Sequence, residues 1–158
     1  MGKFQLTAEL PVSFRAAAAA LASDPAAVVG PGADGTERFG VEVFGFAVSE
    51  PVEVEAGEVE VIDRPLRVAA VEVKVHAAGG DRAFPFLDAE LEVTPTRDGV
   101  EVALEGRYDP PAGFLGELVD HVLLHRMAQE SIAGYFRHVV ERLRRAAEAR
   151  NAMSEVRR

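Results

Sequence analysis

The chain has 158 residues, 48% of them hydrophobic, and a formal net charge of −9. This length is typical of one domain, and we predict a single domain over residues 1–150 with a frayed tail at 151–158. The absence of cysteine excludes disulfides, thiolate zinc sites and cysteine nucleophiles. An acidic chain is repelled by nucleic acid, and no apolar run approaches the ~20 residues that span a bilayer. We therefore expect no nucleic-acid partner, no transmembrane segment and a cytoplasmic location.

The N-terminal residues predict one strand and two short helices. Apolar and polar residues alternate over residues 4–10, the period of a half-buried strand. Ser13 is a suitable N-cap for a helix that ends near Ala22, and a break there allows a second short helix over residues 26–29. A loop rich in glycine and proline follows at residues 30–35, and the sequence leaves open whether it acts as a lid.

The middle of the chain, residues 38–109, reads almost wholly as strand. Alternating valine and glutamate over residues 52–61 predict a hairpin that turns at Ala56-Gly57, with valines facing valines and glutamates facing glutamates. In the later strands the apolar residues share one side and the acidic residues the other. This is the pattern of an antiparallel sheet with one solvated face, and it explains most of the net charge without a cation site.

A long helix is predicted from about Phe114 to about Ala149, with a length of ~50 Å. Its predicted apolar face consists of Leu118, Val122, Phe136, Val140 and Leu143. Because such a helix needs a large apolar partner, we expect it to lie across the inner face of the sheet. The predicted fold class is α+β: a curved antiparallel sheet of about seven strands, a helical pair after the first strand and a long C-terminal helix.

Two stretches have a familiar sequence: residues 90–95, ELEVTP, and residues 106–111, GRYDPP, which lead into Leu118-Val119-Asp120. With the element order, they resemble uncharacterised bacterial members of the START-like superfamily, also called SRPBCC, which has the helix-grip fold. By element order the resemblance covers essentially the whole chain, and it is sharpest from Arg64-Pro65 onwards. It implies a deep, mostly apolar cavity between sheet and helix, where many members bind lipids, sterols or polyketides and a minority catalyse cyclisation or dehydration.

A helical wheel places His125 and Gln129 within the apolar stripe, one turn apart. Because an unsatisfied buried polar group costs ~1–3 kcal/mol, they either bind a ligand or bond to the strands and lock the helix. Tyr108 shares the strand parity of the inward-facing residues and is a further candidate, as a core residue or as a ligand contact at the cavity mouth. Arg107 has the opposite parity and points outwards. The predicted cavity walls are Leu91, Val93, Val102, Leu104, Val122 and Phe136.

No catalytic signature is present. His121 and His125 have the i, i+4 spacing of a metal-binding pair, but no further ligand pattern accompanies them, so we predict neither metal nor cofactor. No serine stands in a nucleophile elbow. The sequence therefore favours a non-catalytic binder or carrier of a hydrophobic small molecule, in which His125 and Gln129 orient the polar end of the ligand.

Two other functions remain open. One is an enzyme of the polyketide cyclase or dehydratase type, with His125 as general acid/base and Tyr108 or Gln129 polarising a carbonyl. The other is an interaction module without a ligand, whose acidic sheet face meets a basic partner. The sequence also leaves open the ligand's identity and a homodimeric state.

Overall fold

The computed structural model describes residues 2–30, 38–43, 46–63, 65–77, 85–109 and 121–157. The elements are β1 (Gly2–Leu10), α1 (Phe14–Ser23), α2 (Pro25–Val29), β2 (Arg38–Val43), β3 (Phe46–Ala56), β4 (Glu60–Ile62), β5 (Val68–Ala77), β6 (Phe86–Pro95), β7 (Val100–Asp109) and α3 (His121–Val156). The strands form one sheet in the order β1-β7-β6-β5-β3-β2, with β4 also paired to β5, and every pair is antiparallel. The predicted α+β helix-grip layout is confirmed.

The two short helices begin where their capping residues predict. The Ser13 side chain accepts a hydrogen bond of 3.2 Å from the Ala16 amide, and Asp24 accepts one of 3.1 Å from the Ala27 amide. Pro25 occupies the first turn of α2, where its missing amide hydrogen costs nothing. Both α1 and α2 contact α3.

The inner face of the sheet is the core. Its fully or almost fully buried side chains are Ala69, Val71, Val73, Val75, Leu87, Ala89, Leu91, Val93, Val100, Val102 and Leu104. Leu91 lies between Val71 and Leu104 in the pairing register, and burial of each such side chain contributes roughly 1.5–3 kcal/mol. The alternation predicted for these strands is confirmed, with acidic residues on the outer face.

The predicted hairpin at Ala56-Gly57 is wrong. β3 does not fold back on the next residues; it continues along β5, where Glu53 lies opposite His76 and Glu55 opposite Lys74. The His76 Nε2 atom is 3.0 Å from Glu53 Oε2. The local hairpin would place like charges directly opposite each other, which destabilises a sheet, whereas β5 offers a longer partner with complementary side chains.

A one-residue bulge joins β3 to β4. Ala56 pairs with Val73 and Glu60 with Ala70, so that the three residues 57–59 lie opposite only two residues of β5. The Gly57 amide bridges the gap with a hydrogen bond of 2.8 Å to the Glu72 carbonyl. The extra residue keeps β4 in the sheet while shifting its register by one.

The helix α3 is buried along a stripe that drifts around its axis. Its buried residues are Leu124, Met127, Ala128, Ser131, Ile132, Tyr135, Phe136, Val139, Leu143 and Ala147. Phe136 and Leu143 were predicted correctly, but Val122 is 69% exposed, and Gln129 is exposed as well. The prediction that Val122 and Gln129 lie on the buried face of α3 is therefore wrong.

The error has a geometric cause. The buried residues Leu124, Ala128, Ile132 and Phe136 are four positions apart, slightly more than one turn of 3.6 residues. The buried stripe therefore drifts around the helix, and a straight face fitted to the second half of α3 misses the first half. The predicted start near Phe114 lies outside the described residues, and the helix continues beyond the predicted end near Ala149 to Val156. Among the described helices, none is long and apolar enough to cross a membrane.

Two side chains of α3 hold the end of α2. The Tyr135 hydroxyl donates a hydrogen bond of 2.7 Å to the Val29 carbonyl, and Arg142 donates one to the Gly30 carbonyl. The last carbonyls of a helix have no partner within it. The two bonds therefore satisfy these groups and fix the point at which the chain leaves α2.

Candidate functional site

Tyr108 and His125 meet where the end of β7 faces the start of α3. The Tyr108 hydroxyl and His125 Nδ1 are 2.9 Å apart and share a hydrogen bond, whose direction depends on the histidine tautomer. The rings meet edge to face, with centroids 5.7 Å apart and an interplanar angle of 76°. Tyr108 is 3% exposed, and His125 is half-buried. The structure thus brings together two of the residues that the sequence singled out.

The first strand fixes the tyrosine ring. Gly2 lies opposite Tyr108 in the β1–β7 register, and a Cβ atom at Gly2 would stand 2.3 Å from the Tyr108 Cζ atom. Phe4 packs against the same ring, with centroids 6.3 Å apart. Sequence analysis did not find these two supporting residues, because only the pairing of β1 with β7 brings them to the site.

The inner face of β1 is more open than that of its partner strand β7. Phe4, Leu6 and Ala8 are half-buried, whereas Leu104 and Val102, which lie opposite Leu6 and Ala8, are 0% exposed. A polar pair therefore stands beside an apolar surface that solvent partly reaches. This combination suits a ligand with an apolar body and one polar group.

The predicted cavity walls lie deeper. Leu91, Val93, Val102 and Leu104 are each 0% exposed, and with Phe136 they belong to one continuous core cluster. A ligand would reach them only by displacing the side chains that cover them, so their contact with a ligand stays a prediction.

Two predicted site residues do not join the pair. Gln129 points away from the core and is exposed, and Val122 is exposed on the first described turns of α3. Gln129 therefore does not share the surroundings of His125, although one helical turn separates them. The side chain of His121, the other member of the possible metal pair, lies outside the described residues. Among those described, no group of three or more histidine, aspartate or glutamate residues could hold a metal ion.

The strongest acidic clustering is on the outer sheet face, away from the pair. Glu90 lies opposite both Glu72 and Glu105. The pKa of Glu90 is raised above its usual value, first by a hydrogen bond with Glu92, then by burial and by repulsion from the same residue. On α3 the Arg144 guanidinium lowers the pKa of Glu141 to about 2. Neither group faces Tyr108 or His125, so these shifts concern stability and the charge of the surface.

No protein-family model matches the chain, and no curated protein matches it. Among solved structures it is similar to TTHA0849 from Thermus thermophilus, with 16% identity, a TM-score of 0.46, and 90% of this chain and 97% of that chain covered. It is also similar to DynU16, a putative protein in the dynemicin biosynthetic locus, with 9% identity, a TM-score of 0.46, and 92% of this chain but 47% of that chain covered. Ara h 8.0201 has 13% identity, a TM-score of 0.40, and 90% and 97% coverage. These likenesses are too low to carry an argument about function, so the helix-grip assignment rests on the strand order and the position of α3.

Proposed function

We propose that the protein binds a hydrophobic small molecule with one polar group, held between the sheet and α3 beside Tyr108 and His125. The observation that carries the proposal is the hydrogen-bonded Tyr108–His125 pair, together with the half-buried apolar residues of the neighbouring strand β1. Ligand sites in proteins are typically apolar with a few convergent polar groups. The resemblance to the START-like superfamily, whose members bind such molecules, supports the same function, and a cytoplasmic carrier is the form that we favour.

The pair can hold the polar end of a ligand in a defined orientation. A phenolic hydroxyl both donates and accepts, so Tyr108 can bond to a ligand hydroxyl or carbonyl while keeping its contact with His125. The half-buried side chains of Phe4, Leu6 and Ala8 would cover the apolar body. Deeper contacts with Leu91, Val93, Val102, Leu104 and Phe136 would form if α3 moves away from the sheet on binding.

A fluorescence titration with anilinonaphthalene sulfonate tests the proposal, because this probe combines an aromatic body with one polar group. We expect saturable binding to the wild type and roughly two- to tenfold weaker binding to Tyr108→Phe and His125→Leu, the effect of one lost hydrogen bond. Gln129→Leu is the matched control, since it makes the same kind of change on an exposed face of α3. Equal affinity in all four proteins, or no saturable binding, would contradict the proposal. If the expected binding is found, native mass spectrometry of protein purified from its own host would identify the natural ligand.

The same pair supports an enzyme of the cyclase or dehydratase type as a second candidate. A histidine hydrogen-bonded to a tyrosine at 2.9 Å can serve as general acid/base while the phenol polarises a carbonyl. Turnover of a poly-β-ketone substrate that is abolished by His125→Ala and retained by Gln129→Leu would establish it. Binding of that substrate without turnover would favour the carrier.

A further inference from the structure

A second candidate site lies far from the Tyr108–His125 pair. It is a groove of about 310 Å³ between the α1–α2 corner and the C-terminal part of α3. At 1.5 Å per residue, Ala146 on its wall is about 30 Å along the helix from His125. The lining residues are Ala20, Ser23, Asp24, Ala27, Val28, Ala146, Ala149, Arg150 and Met153.

Small side chains create the groove. Alanines of α1, α2 and α3 line it, where larger residues would bring side chains into contact and fill the space. Val28 is buried at its base, and Met153 is 64% exposed at its rim. The floor is therefore apolar, and the flexible thioether at the rim can adapt to an occupant.

The charged residues that line the groove, Arg150 and Asp24, differ in burial and in their hydrogen-bond partners. Within the described part of the chain, Arg150 is half-buried and its guanidinium makes neither a hydrogen bond nor an ion pair, whereas the nearby Arg144 pairs with Glu141 and Glu148. The Asp24 carboxylate is exposed and accepts the amide hydrogen of Ala27. A half-buried cation without a counterion favours an anion more strongly than a solvated, hydrogen-bonded carboxylate favours a cation.

From these observations we infer that the groove is a binding site for a small amphipathic carboxylate. The carboxylate pairs with Arg150, and guanidinium geometry suits a bidentate pair. The alkyl chain lies on the alanine floor against Val28 and Met153. The volume is at the low end of the range for ligand pockets, roughly 300–1,000 Å³, which fits a medium-chain acid better than a lipid with two chains.

Isothermal titration calorimetry with octanoate, octanol and octylammonium tests this site. We expect saturable binding of octanoate, weaker binding of octanol and the weakest binding of octylammonium. Arg150→Gln should weaken octanoate binding about tenfold, the effect of one charge-assisted hydrogen bond, and Ala149→Phe should abolish it by filling the groove from an exposed position. Arg157→Gln is the control, because it removes the same charge from the exposed end of the chain.

The result is separable from the function proposed for the Tyr108–His125 pair. His125→Leu should leave octanoate binding unchanged, because the Tyr108–His125 pair lies far from the groove. The inference is overturned if octylammonium binds better than octanoate, if Arg150→Gln has no effect, if His125→Leu abolishes octanoate binding, or if no ligand binds. Circular dichroism of each variant distinguishes a loss of binding from a loss of fold.

Discussion

Tyr135 shows how a single polar atom can organise the core. Its side chain is 0% exposed, and its hydroxyl donates to the Val29 carbonyl. Buried tyrosines usually find such a partner for the hydroxyl. Here the partner is a carbonyl from the last turn of α2, so one residue serves both as apolar filling and as a polar link between two helices.

We expect Tyr135→Phe to lower the free energy of unfolding by about 1–3 kcal/mol, because the Val29 carbonyl would lose its partner inside the core. Tyr108→Phe should cost less, since half-buried His125 can exchange the lost bond for water. Urea denaturation of both variants measures the difference. A smaller effect at Tyr135 than at Tyr108 would contradict this account of the link between the helices.

The outer sheet face predicts a pH effect at Glu90. Since the pKa of Glu90 is raised in the folded protein, its ionisation opposes folding; the opposition is present above that pKa and disappears as the pH falls through it. Glu90→Gln should therefore stabilise the protein at neutral pH, by up to about 1 kcal/mol, and the gain should vanish in acid. Asp88→Asn is the control, because Asp88 lies opposite Lys74 and Arg107 and its loss should destabilise. Denaturation of Glu90→Gln at neutral and acidic pH measures the effect. A gain in stability that stays the same as the pH falls would contradict the prediction.

At the scale of elements, the sheet depends on which strands find each other. The bulge at residues 57–59 lets β3 and β4 act as two segments of one strand along β5. A one-residue change of register ordinarily turns every following side chain to the opposite face. The bulge absorbs this change locally, and Val61 remains opposite the inner residue Ala69.

This geometry predicts that the protein tolerates deletion of Glu58. The deletion leaves two residues opposite two, so β4 keeps its register and its faces. Deletion of Glu90 from β6, which is paired on both sides, should instead turn one half of that strand inside out and prevent folding. Circular dichroism and thermal unfolding distinguish the outcomes, and loss of fold in the Glu58 deletion would contradict the assignment of the bulge.

The strands with regular alternation could be predicted from the sequence, and those with an ambiguous partner could not. The positions of β1, β6 and β7 could be predicted because apolar and polar residues alternate along them, which places all the apolar side chains on one face. The partner of residues 52–56 does not follow from such a pattern, because the local turn at Ala56-Gly57 competes with a distant strand. The stripe of α3 was missed at Val122 and Gln129 since its direction depends on the twist of the surface beneath it.

At the scale of the whole molecule, the sheet and α3 differ in how their charged side chains are arranged. The sheet carries aligned glutamates on its outer face, while α3 carries ion pairs such as Arg144 with Glu148 and Arg145 with Glu141. Exposed pairs of this kind contribute little, about 0–1 kcal/mol each. Repulsion within a molecule of net charge −9 is therefore the larger electrostatic effect.

We expect moderate sodium chloride to raise the thermal midpoint by a few degrees, because screening weakens the repulsion more than it weakens the exposed pairs. Scanning calorimetry at low and physiological ionic strength measures the shift. A series in sucrose, which strengthens burial without screening charge, is the control. A midpoint that falls as salt is added would show that the ion pairs of α3 dominate.

The site was predictable in its parts but not in its assembly. Strand parity predicted that Tyr108 faces inwards, and the helical wheel placed His125 near the sheet. Their contact depends on where α3 crosses β7, and the support from Gly2 depends on the pairing of two residues, Gly2 and Tyr108, that are far apart in the sequence. Neither of these two contacts can be predicted from a local sequence pattern.

The pairing of β1 with β7 also has a consequence for synthesis on the ribosome. Gly2 pairs with Tyr108 and Leu10 with Val100, and among the described strands β1 has no other partner. During synthesis β1 must therefore wait until β7, the last of the described strands, has been made, and Tyr135 can reach Val29 only later still. Contacts of such long sequence separation slow folding. Until β7 is available, β1 is therefore an unpaired strand of the nascent chain that needs protection from other partners.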